Sequence, residues 1–496
     1  TAYRVTETSL ELLHLQKEQF TLEIETLINP ENNLQLMGLY RSNNIFCTQC
    51  EAEGFRRITY SYDRPDILST YTVRIEADKK TCPVLLSNGN CLEKGNLENG
   101  RHYALWEDPF PKPSYLFALV AGKLSGSFDH FVTQSGRKVG LAIYVEEGKQ
   151  HQTAYALDAL KRSMAWDEKR FGREYDLDLF NIVAVSDFNM GAMENKGLNI
   201  FNDKYILADP QIATDADYAN IEAIIAHEYF HNWTGNRITC RDWFQLCLKE
   251  GLTVYRDQEF SREERDADVN RIAQIRFLRS VQFAEDSGPL CHPVRPRQYS
   301  EINNFYTATV YQKGAELVRM LHCILGAAAF HQGLDLYFNR HDGQACTVED
   351  FIQCFADVSG HDFSQFMLWY EQAGTPYVEA THKWENGQLT LSFTQQLYAN
   401  GQKKHASPML IPITFALLDA KGQEVVINKA MLDNTSREHV LLAQDNKTGI
   451  LLLTQQQQNF TFSCTQEGVT PSLLRGFSSP IILQTDFTDK QTTFLA

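Results

Sequence analysis

The sequence has no long apolar run and no excess of basic residues. No uninterrupted stretch of about 18 apolar residues occurs among its 496 residues, so the sequence predicts no membrane-spanning helix. Lysine and arginine number 46 against 62 aspartates and glutamates, which gives a formal net charge of −16. Nucleic-acid binding needs a concentrated basic surface, so we expect no nucleic-acid partner.

Cysteine is also sparse. Eleven cysteines, an odd number spread over a long chain, do not resemble the dense framework of a disulfide-stabilised secreted protein. They predict reduced thiols and a cytoplasmic protein. Cys47 and Cys50 form a single C-x-x-C, without the second pair or the sequence context that a zinc or redox motif needs.

The hydrophobic pattern changes twice along the chain, which fits the roughly three domains suggested by its length. Period-two alternation at residues 20–25 and 71–76 predicts strands of an antiparallel sheet. Helical periodicity then predicts helices at 217–232, 311–325 and 362–373. After a break at Gly374, alternation returns and predicts a small β-sandwich.

The strongest chemical motif is the run HEYFH at residues 227–231. Histidines four residues apart project from the same face of a helix, so His227 and His231 can hold one zinc ion while Glu228 activates a water. Thr214 and Asp217 can form a capping box at the start of that helix. These residues predict a zinc hydrolase.

A catalytic zinc needs a third protein ligand and an open position. The metzincin pattern fails, because Thr234 and Arg237 stand where a glycine and a third histidine are required. Glu250 follows His231 after eighteen intervening residues, and a glutamate on the next helix would complete a two-His, one-Glu site. The residues alone leave open an endopeptidase, a related hydrolase or a non-catalytic zinc-containing binding module.

The zinc motif, Glu250 and the run GAMEN at residues 191–195 together resemble the aminopeptidase N family of gluzincin metallopeptidases, in its bacterial form. The likeness covers nearly the whole chain. It implies a multidomain α+β protein: an incomplete antiparallel β-domain at 1–123, a thermolysin-like α/β zinc catalytic domain at 124–375 and a β-sandwich at 376–480. Residues 481–496 are then a tail or the start of a C-terminal helical domain, and we expect a chain truncated at both ends.

The resemblance also implies roles for individual residues. His227, His231 and Glu250 would hold one Zn²⁺ per chain, with Glu228 as general base and Tyr311 as a donor to the oxyanion. The residues implied in substrate binding are Gln49, Glu51, Met190, Gly191, Ala192, Met193, Glu194, Asn195 and Tyr306. Met190 and Tyr306 look the same in sequence as ordinary packing residues.

The implied activity is that of an aminopeptidase of the membrane alanyl aminopeptidase type. Its substrates would be peptides with a free N-terminus, with a broad preference for N-terminal Ala, Leu, Arg or Lys. Such an enzyme must bind a free α-ammonium group, which requires acceptors such as Glu194 and Glu51 beside the metal. The resemblance further implies a monomeric full-length protein.

Overall fold

The computed structural model describes residues 2–14, 19–463 and 468–496. The chain divides into two compact units. The first comprises Thr1–Trp243 and His341–Cys346, and the second comprises Phe244–Arg340 and Thr347–Ala496. Among the helices in these described stretches, none combines the length and the hydropathy needed to cross a membrane.

Antiparallel sheets make up the N-terminal part of the first unit. Their strands are β1 (Tyr3–Val5), β2 (Leu10–Leu12), β3 (Gly38–Ser42), β4 (Ile45–Gln49), β5 (Ser69–Asp78), β6 (Val84–Ser87), β7 (Asn90–Asn96), β8 (Arg101–Lys112) and β9 (Leu119–Gly122). Strands β1 and β2 pair with each other, and the other two sheets run in the orders β3-β4-β9-β6 and β5-β8-β7. The strand predicted at 71–76 is confirmed within β5.

The strand predicted at residues 20–25 is wrong. The structure has irregular chain there, and Ile24 is the one side chain of the six that is even half-buried. Alternation indicates a strand only where one face is buried and a neighbouring strand takes up the backbone hydrogen bonds. Within the described parts of the chain, residues 20–25 bury no face and pair with no strand.

A mixed sheet follows in the first unit. Its strands are β10 (Ser125–Val132), β11 (Lys138–Val145), β12 (Leu179–Val185), β13 (Ala192–Met193) and β14 (Leu198–Asn202), in the order β10-β11-β12-β14-β13. The inner strands β11, β12 and β14 are parallel. Helix α1 (Ala154–Phe171) connects β11 to β12 and packs against helix α2 (Asp215–Phe230). At their contact the ring centroids of Trp166 and Phe230 lie 4.9 Å apart. The short strands β15 (Thr239–Cys240) and β16 (Ala345–Cys346) pair in parallel.

Helices form the first part of the second unit. They are α3 (Leu246–Glu264), α4 (Ala267–Phe277), α5 (Phe283–Ser287), α6 (Gly314–His341), α7 (Val348–Ser359) and α8 (Leu368–Glu371). Two π-helical turns, Leu278–Gln282 and Thr309–Lys313, precede α5 and α6. The helix predicted at 311–325 is confirmed, apart from its π-helical first residues.

The helix predicted at 362–373 is wrong except for the single turn α8. Its aromatic residues are spaced as in a helix, but the chain before α8 runs through turns. Phe366 and Trp369 are fully buried, and the Trp369 indole donates to the Leu410 carbonyl at 2.8 Å. Packing and this hydrogen bond therefore override the local periodicity.

Two sheets complete the second unit and confirm the predicted sandwich. Their strands are β17 (Thr375–Glu385), β18 (Gln388–Ala399), β19 (Gln402–Lys404), β20 (Ile411–Leu418), β21 (Val440–Leu442), β22 (Thr448–Leu453), β23 (Gln457–Ser463), β24 (Thr470–Leu473) and β25 (Ile482–Thr485), with helices α9 (Asn434–Arg437) and α10 (Asp489–Leu495). One sheet contains β19-β18-β17-β25 with β23 on β18, and the other runs β21-β22-β20-β24. Phe415 and Phe462 join the two sheets, with ring centroids 5.4 Å apart.

Candidate metal and peptide site

Helix α2 carries the zinc motif, and its start is fixed by the predicted capping box. The Thr214 backbone N–H donates to the Asp217 carboxylate at 2.8 Å, and the Asp217 N–H donates to the Thr214 hydroxyl at 3.3 Å. Two of the N–H groups that every helix start leaves without a partner are thereby satisfied. The acidic side chain also lies at the positive end of the helix dipole.

The other end of α2 brings the two histidines together. Helix α2 ends at Phe230, but His231 keeps helical backbone angles of −58° and −19° and therefore stays on the face of His227. The two Nε2 atoms lie 2.9 Å apart, and the ring centroids lie 4.5 Å apart. Gly235 lies in the turn beyond the end of the helix.

A hydrogen bond defines the tautomer of His231. Its Nδ1 lies 2.7 Å from the Thr234 carbonyl oxygen, which can only accept. Nδ1 therefore carries the proton, and Nε2 presents its lone pair towards His227. A backbone carbonyl on the outer nitrogen is the usual arrangement for a metal-binding histidine, so the imidazole pair fits a zinc ion.

Two carboxylates lie beside this pair. An oxygen of Glu194, an oxygen of Glu228 and a ring nitrogen of His231 all lie within 4.8 Å of one another, and all three residues are buried. Glu228 follows His227 in the helix, whereas Glu194 comes from the mixed sheet. The site thus joins a metal-type imidazole to one carboxylate suited to proton transfer and a second one suited to binding a cation.

We refer to Gly191–Asn195 as the exopeptidase segment. Its residues Ala192 and Met193 form the edge strand β13, which pairs with β14. The Asn202 N–H donates to the Gly191 carbonyl at 3.0 Å, and the Asn236 side-chain amide donates to the Glu194 carbonyl at 2.9 Å. A backbone N–H from β14 and a side-chain amide from beyond α2 therefore hold the backbone of the segment that carries Glu194.

Strand β4 brings a second pair of predicted residues to this segment. The Gln49 side-chain amide lies 3.7 Å from the Met193 sulfur and donates to the Glu51 carbonyl at 3.2 Å. Gln49 and Glu51 are both buried, and the peptide bond after Glu51 is cis. Met190, just before the segment, is half-buried.

The second unit holds the remaining predicted residues. Glu250 lies on α3, is buried, and accepts a hydrogen bond from the equally buried Lys249 ammonium at 2.6 Å. The next residue, Gly251, faces Gly314 so closely that an added Cβ atom would lie 2.8 Å from the Gly314 carbonyl carbon. A glycine is required there because the backbones of α3 and α6 touch.

Tyr311 lies in the π-helical turn Thr309–Lys313, a type of turn often found at functional sites. The Glu285 carboxylate accepts from the Thr309 N–H at 2.9 Å and from the Ala308 N–H at 3.2 Å, which caps the turn. The half-buried rings of Tyr306 and Tyr311 are 6.4 Å apart. The two predicted tyrosines are therefore neighbours.

Three parts of the chain match known protein domains. Residues 155–370 match the peptidase family M1 domain, and residues 4–116 match the peptidase M1 N-terminal domain. This chain belongs to peptidase family M1. Residues 374–486 match a domain of unknown function with an Ig-like fold, in agreement with the two sheets described above.

Relatives of this M1 chain are considerably longer than it is. It is 58% identical over 471 residues to an aminopeptidase N of Caulobacter vibrioides, a match that covers 95% of this chain and 52% of the relative. It is 51% identical over 497 residues to an aminopeptidase N of Escherichia coli, covering 100% and 56%. A crystal structure of Legionella pneumophila aminopeptidase A in complex with aspartic acid matches with a TM-score of 0.81 and 34% identity, covering 92% of this chain and 50% of that one. The chain thus spans about half the length of the curated relatives it matches.

The first unit also contains a charged cluster around the buried Lys196, which sequence patterns do not reveal. The Lys196 ammonium contacts an Asp176 carboxylate oxygen at 2.6 Å and donates to the Asn232 side-chain oxygen at 2.8 Å. Arg237 contacts Asp176 at 2.9 Å and Asp342 at 2.6 Å. Burial lowers the pKa of Lys196, although the Asp176 carboxylate opposes that shift. Burial alone would raise the pKa of Asp176, but the two cations outweigh it and hold that pKa below its ordinary value.

Proposed function

We propose that this chain carries the active site of a zinc-dependent aminopeptidase that removes the N-terminal residue from peptides. The main support is the Glu194 carboxylate, which lies within 4.8 Å of both the Glu228 carboxylate and a ring nitrogen of His231. The residue whose carbonyl is attacked at such a metal carries its own α-nitrogen a few ångströms away. A buried carboxylate at that distance favours a charged ammonium over the neutral amide of an internal residue.

In this proposal His227 and His231 hold one zinc ion, and Glu250 is the third protein ligand. The support is the facing imidazole nitrogens, the spacing of Glu250 after the motif, and the membership of family M1. Zinc supplies, when bound, the Lewis acidity that lets water attack an amide at neutral pH. Three protein ligands leave a coordination position open, whereas a structural zinc is closed by four.

The chain's own residues perform the proton transfers and bind the substrate. Glu228 takes a proton from the attacking water and passes it to the departing amine. Tyr311 donates a hydrogen bond to the carbonyl oxygen as negative charge develops on it. Glu194 and Glu51 accept from the substrate ammonium, and Gln49 packs Met193 in place beside them.

We further propose a broad preference for N-terminal Ala, Leu, Arg or Lys, with Met190 and Tyr306 lining the pocket for that side chain. Methionine adapts to groups of different shape, which suits a pocket of broad preference.

The cysteines support a proposed location in a reducing compartment such as the cytoplasm, because Cys47, Cys50 and Cys82 are buried and form no disulfide.

The test compares a free peptide with its N-acetylated form, with and without a chelator. We expect the purified protein to release the N-terminal residue of Leu-Gly-Gly and to leave acetyl-Leu-Gly-Gly intact. Chelation should abolish the activity and added zinc should restore it. Equal cleavage of both peptides would indicate an endopeptidase or other hydrolase, and zinc binding without any hydrolysis would indicate a binding module.

A further inference from the structure

Strand pairing is not the only support of the exopeptidase segment, because side chains from other elements also bind the segment and Lys196, the residue that follows it. The Asn236 amide holds the Glu194 carbonyl, and the Asn88 amide donates to the Lys196 carbonyl at 2.9 Å. The Lys196 ammonium then reaches Asn232, the residue immediately after His231. These contacts connect the segment that carries Glu194 to the turn that carries His231.

We propose that Lys196 is a positioning residue, which fixes the exopeptidase segment, and with it the Glu194 carboxylate, against the turn that carries His231. Its ammonium has three N–H donors and no acceptor, so it can bind Asp176 and Asn232 at the same time. The two distances, 2.6 Å and 2.8 Å, are those of charge-assisted hydrogen bonds. Such bonds restrict the position of Asn232 more tightly than apolar contacts would.

Stability alone does not account for a charge at this position. Desolvating a lysine and an aspartate is expensive, and well-packed apolar residues of similar volume are often as stable or more stable. Lys196 is nevertheless fully buried, with its ammonium 4.7 Å from the Phe110 ring centroid. A buried ion pair that adds little stability but has a defined direction can still fix the exopeptidase segment relative to the turn that carries His231.

The cluster can lose Lys196 without leaving a bare buried anion. Asp176 keeps its contact with Arg237 at 2.9 Å, and Arg237 is held in turn by Asp342. We therefore expect Lys196→Met to fold. Asn232→Ala tests the same hydrogen bond between Lys196 and Asn232, because it removes the acceptor and leaves the Lys196–Asp176 ion pair intact.

Lys112→Met provides a matched control. Lys112 is also fully buried and forms an ion pair with Asp108 at 3.0 Å, both residues lying in β8. The charge of Lys112 repels that of Lys196, but among the described residues no hydrogen bond joins Lys112 to the exopeptidase segment, so Lys112→Met leaves the contacts of Lys196 in place. A purely structural role for buried lysines predicts similar losses of melting temperature for Lys112→Met and Lys196→Met and no difference between them at the site.

The first measurement is hydrogen exchange at the amides of Leu198 and Asn202, which donate to the carbonyls of Asn195 and Gly191. We expect these amides to exchange at least tenfold faster in Lys196→Met and in Asn232→Ala, and at the parent rate in Lys112→Met. Unchanged exchange in both Lys196→Met and Asn232→Ala would overturn the proposal. If Lys196→Met fails to fold, Asn232→Ala alone decides.

The second measurement is kinetic and rests on the proposed role of Glu194. With leucine p-nitroanilide we expect KM to rise about tenfold in Lys196→Met and Asn232→Ala, with kcat within about threefold of the parent and zinc content unchanged. A fall in kcat at constant KM would contradict positioning of the amine-binding carboxylate. If the parent protein lacks aminopeptidase activity, the proposed function fails, while hydrogen exchange still tests the positioning role.

Discussion

Replacing Glu194 by glutamine removes one negative charge from the site and changes its shape very little. The Glu194 backbone carbonyl is held by the Asn236 amide, so the exopeptidase segment does not depend on the side-chain charge for its position. The side chain is buried and lies within 4.8 Å of Glu228 and His231. A glutamine amide in the same place would still accept one hydrogen bond but would no longer attract an ammonium group.

The size of the expected effect follows from that burial. At about 3 Å and an effective dielectric constant of about 20, a full ammonium–carboxylate attraction is roughly 5 kcal/mol before any loss of solvation is counted. Measured hydrogen bonds to charged groups contribute about 1.5–3 kcal/mol. Because Glu51 shares the ammonium in the proposed mode of binding, we expect the lower part of that range to apply. The corresponding loss in kcat/KM is about 10- to 30-fold.

The assay measures kcat/KM for leucine p-nitroanilide and for its N-acetylated form, with zinc content determined in parallel. Glu222→Gln is the control, because Glu222 is equally buried on α2. Its carboxylate accepts from the Tyr155 hydroxyl at 3.0 Å and from Arg162 at 2.6 Å, and it has no proposed role in binding the substrate amine. We expect Glu194→Gln to lose activity on the free amine with zinc retained, and Glu222→Gln to lose stability only. A kcat/KM for Glu194→Gln within about threefold of the parent would refute the amine-binding role.

Three further outcomes are expected. His231→Ala should lose zinc, whereas Glu228→Gln should keep zinc but lose hydrolysis, and metal analysis against the exposed control His405→Ala tests both. Tyr311→Phe should lower kcat by about 10²–10³ with KM and melting temperature nearly unchanged, since it removes one donor and keeps the ring; a lowered melting temperature with kcat intact would instead assign Tyr311 to packing. Glu168→Gln should raise the melting temperature at pH 8 but hardly at pH 5. Burial raises the pKa of Glu168 to about 7 from 4.5, so the folded state loses stability as pH rises between those values, by at most about 3 kcal/mol, and glutamine avoids this loss. Equal gains at both pH values would show that ionisation of Glu168 is not the cause.

Local signals in the sequence predicted the parts of the site that depend on neighbouring residues. Helix α2 was predicted from its apolar spacing, and its capping box from Thr214 and Asp217. The facing histidines follow from the helical repeat, which places residues four apart on one face. Each of these features is determined within one or two turns of chain, so no knowledge of the fold was needed.

Features that depend on distant partners were mispredicted or missed. Residues 20–25 alternate like a strand but pair with no strand among the residues that the structure describes. Residues 362–373 have helical spacing, but the chain turns there and buries Trp369 against Leu410. The π-helical turn at Tyr311 is capped by the Glu285 carboxylate, which accepts from backbone N–H groups at the start of the turn. In most helices a residue next to the first turn accepts from these N–H groups, whereas Glu285 lies more than twenty residues away. Sequence spacing alone contains none of these partners.

Lys196 shows most clearly where this limit lies. From the sequence, a lysine directly after the GAMEN run is expected to be exposed, because lysine is almost never buried without a partner. Its partners are 20 residues upstream at Asp176 and 36 residues downstream at Asn232, and they come together only through the parallel pairing of β12 with β14 and the placement of α2. The groups that perform chemistry occupy short runs because one helix turn or one edge strand can present several of them. The groups that hold those runs in register must come from separate elements, so they become recognisable only when the fold is known.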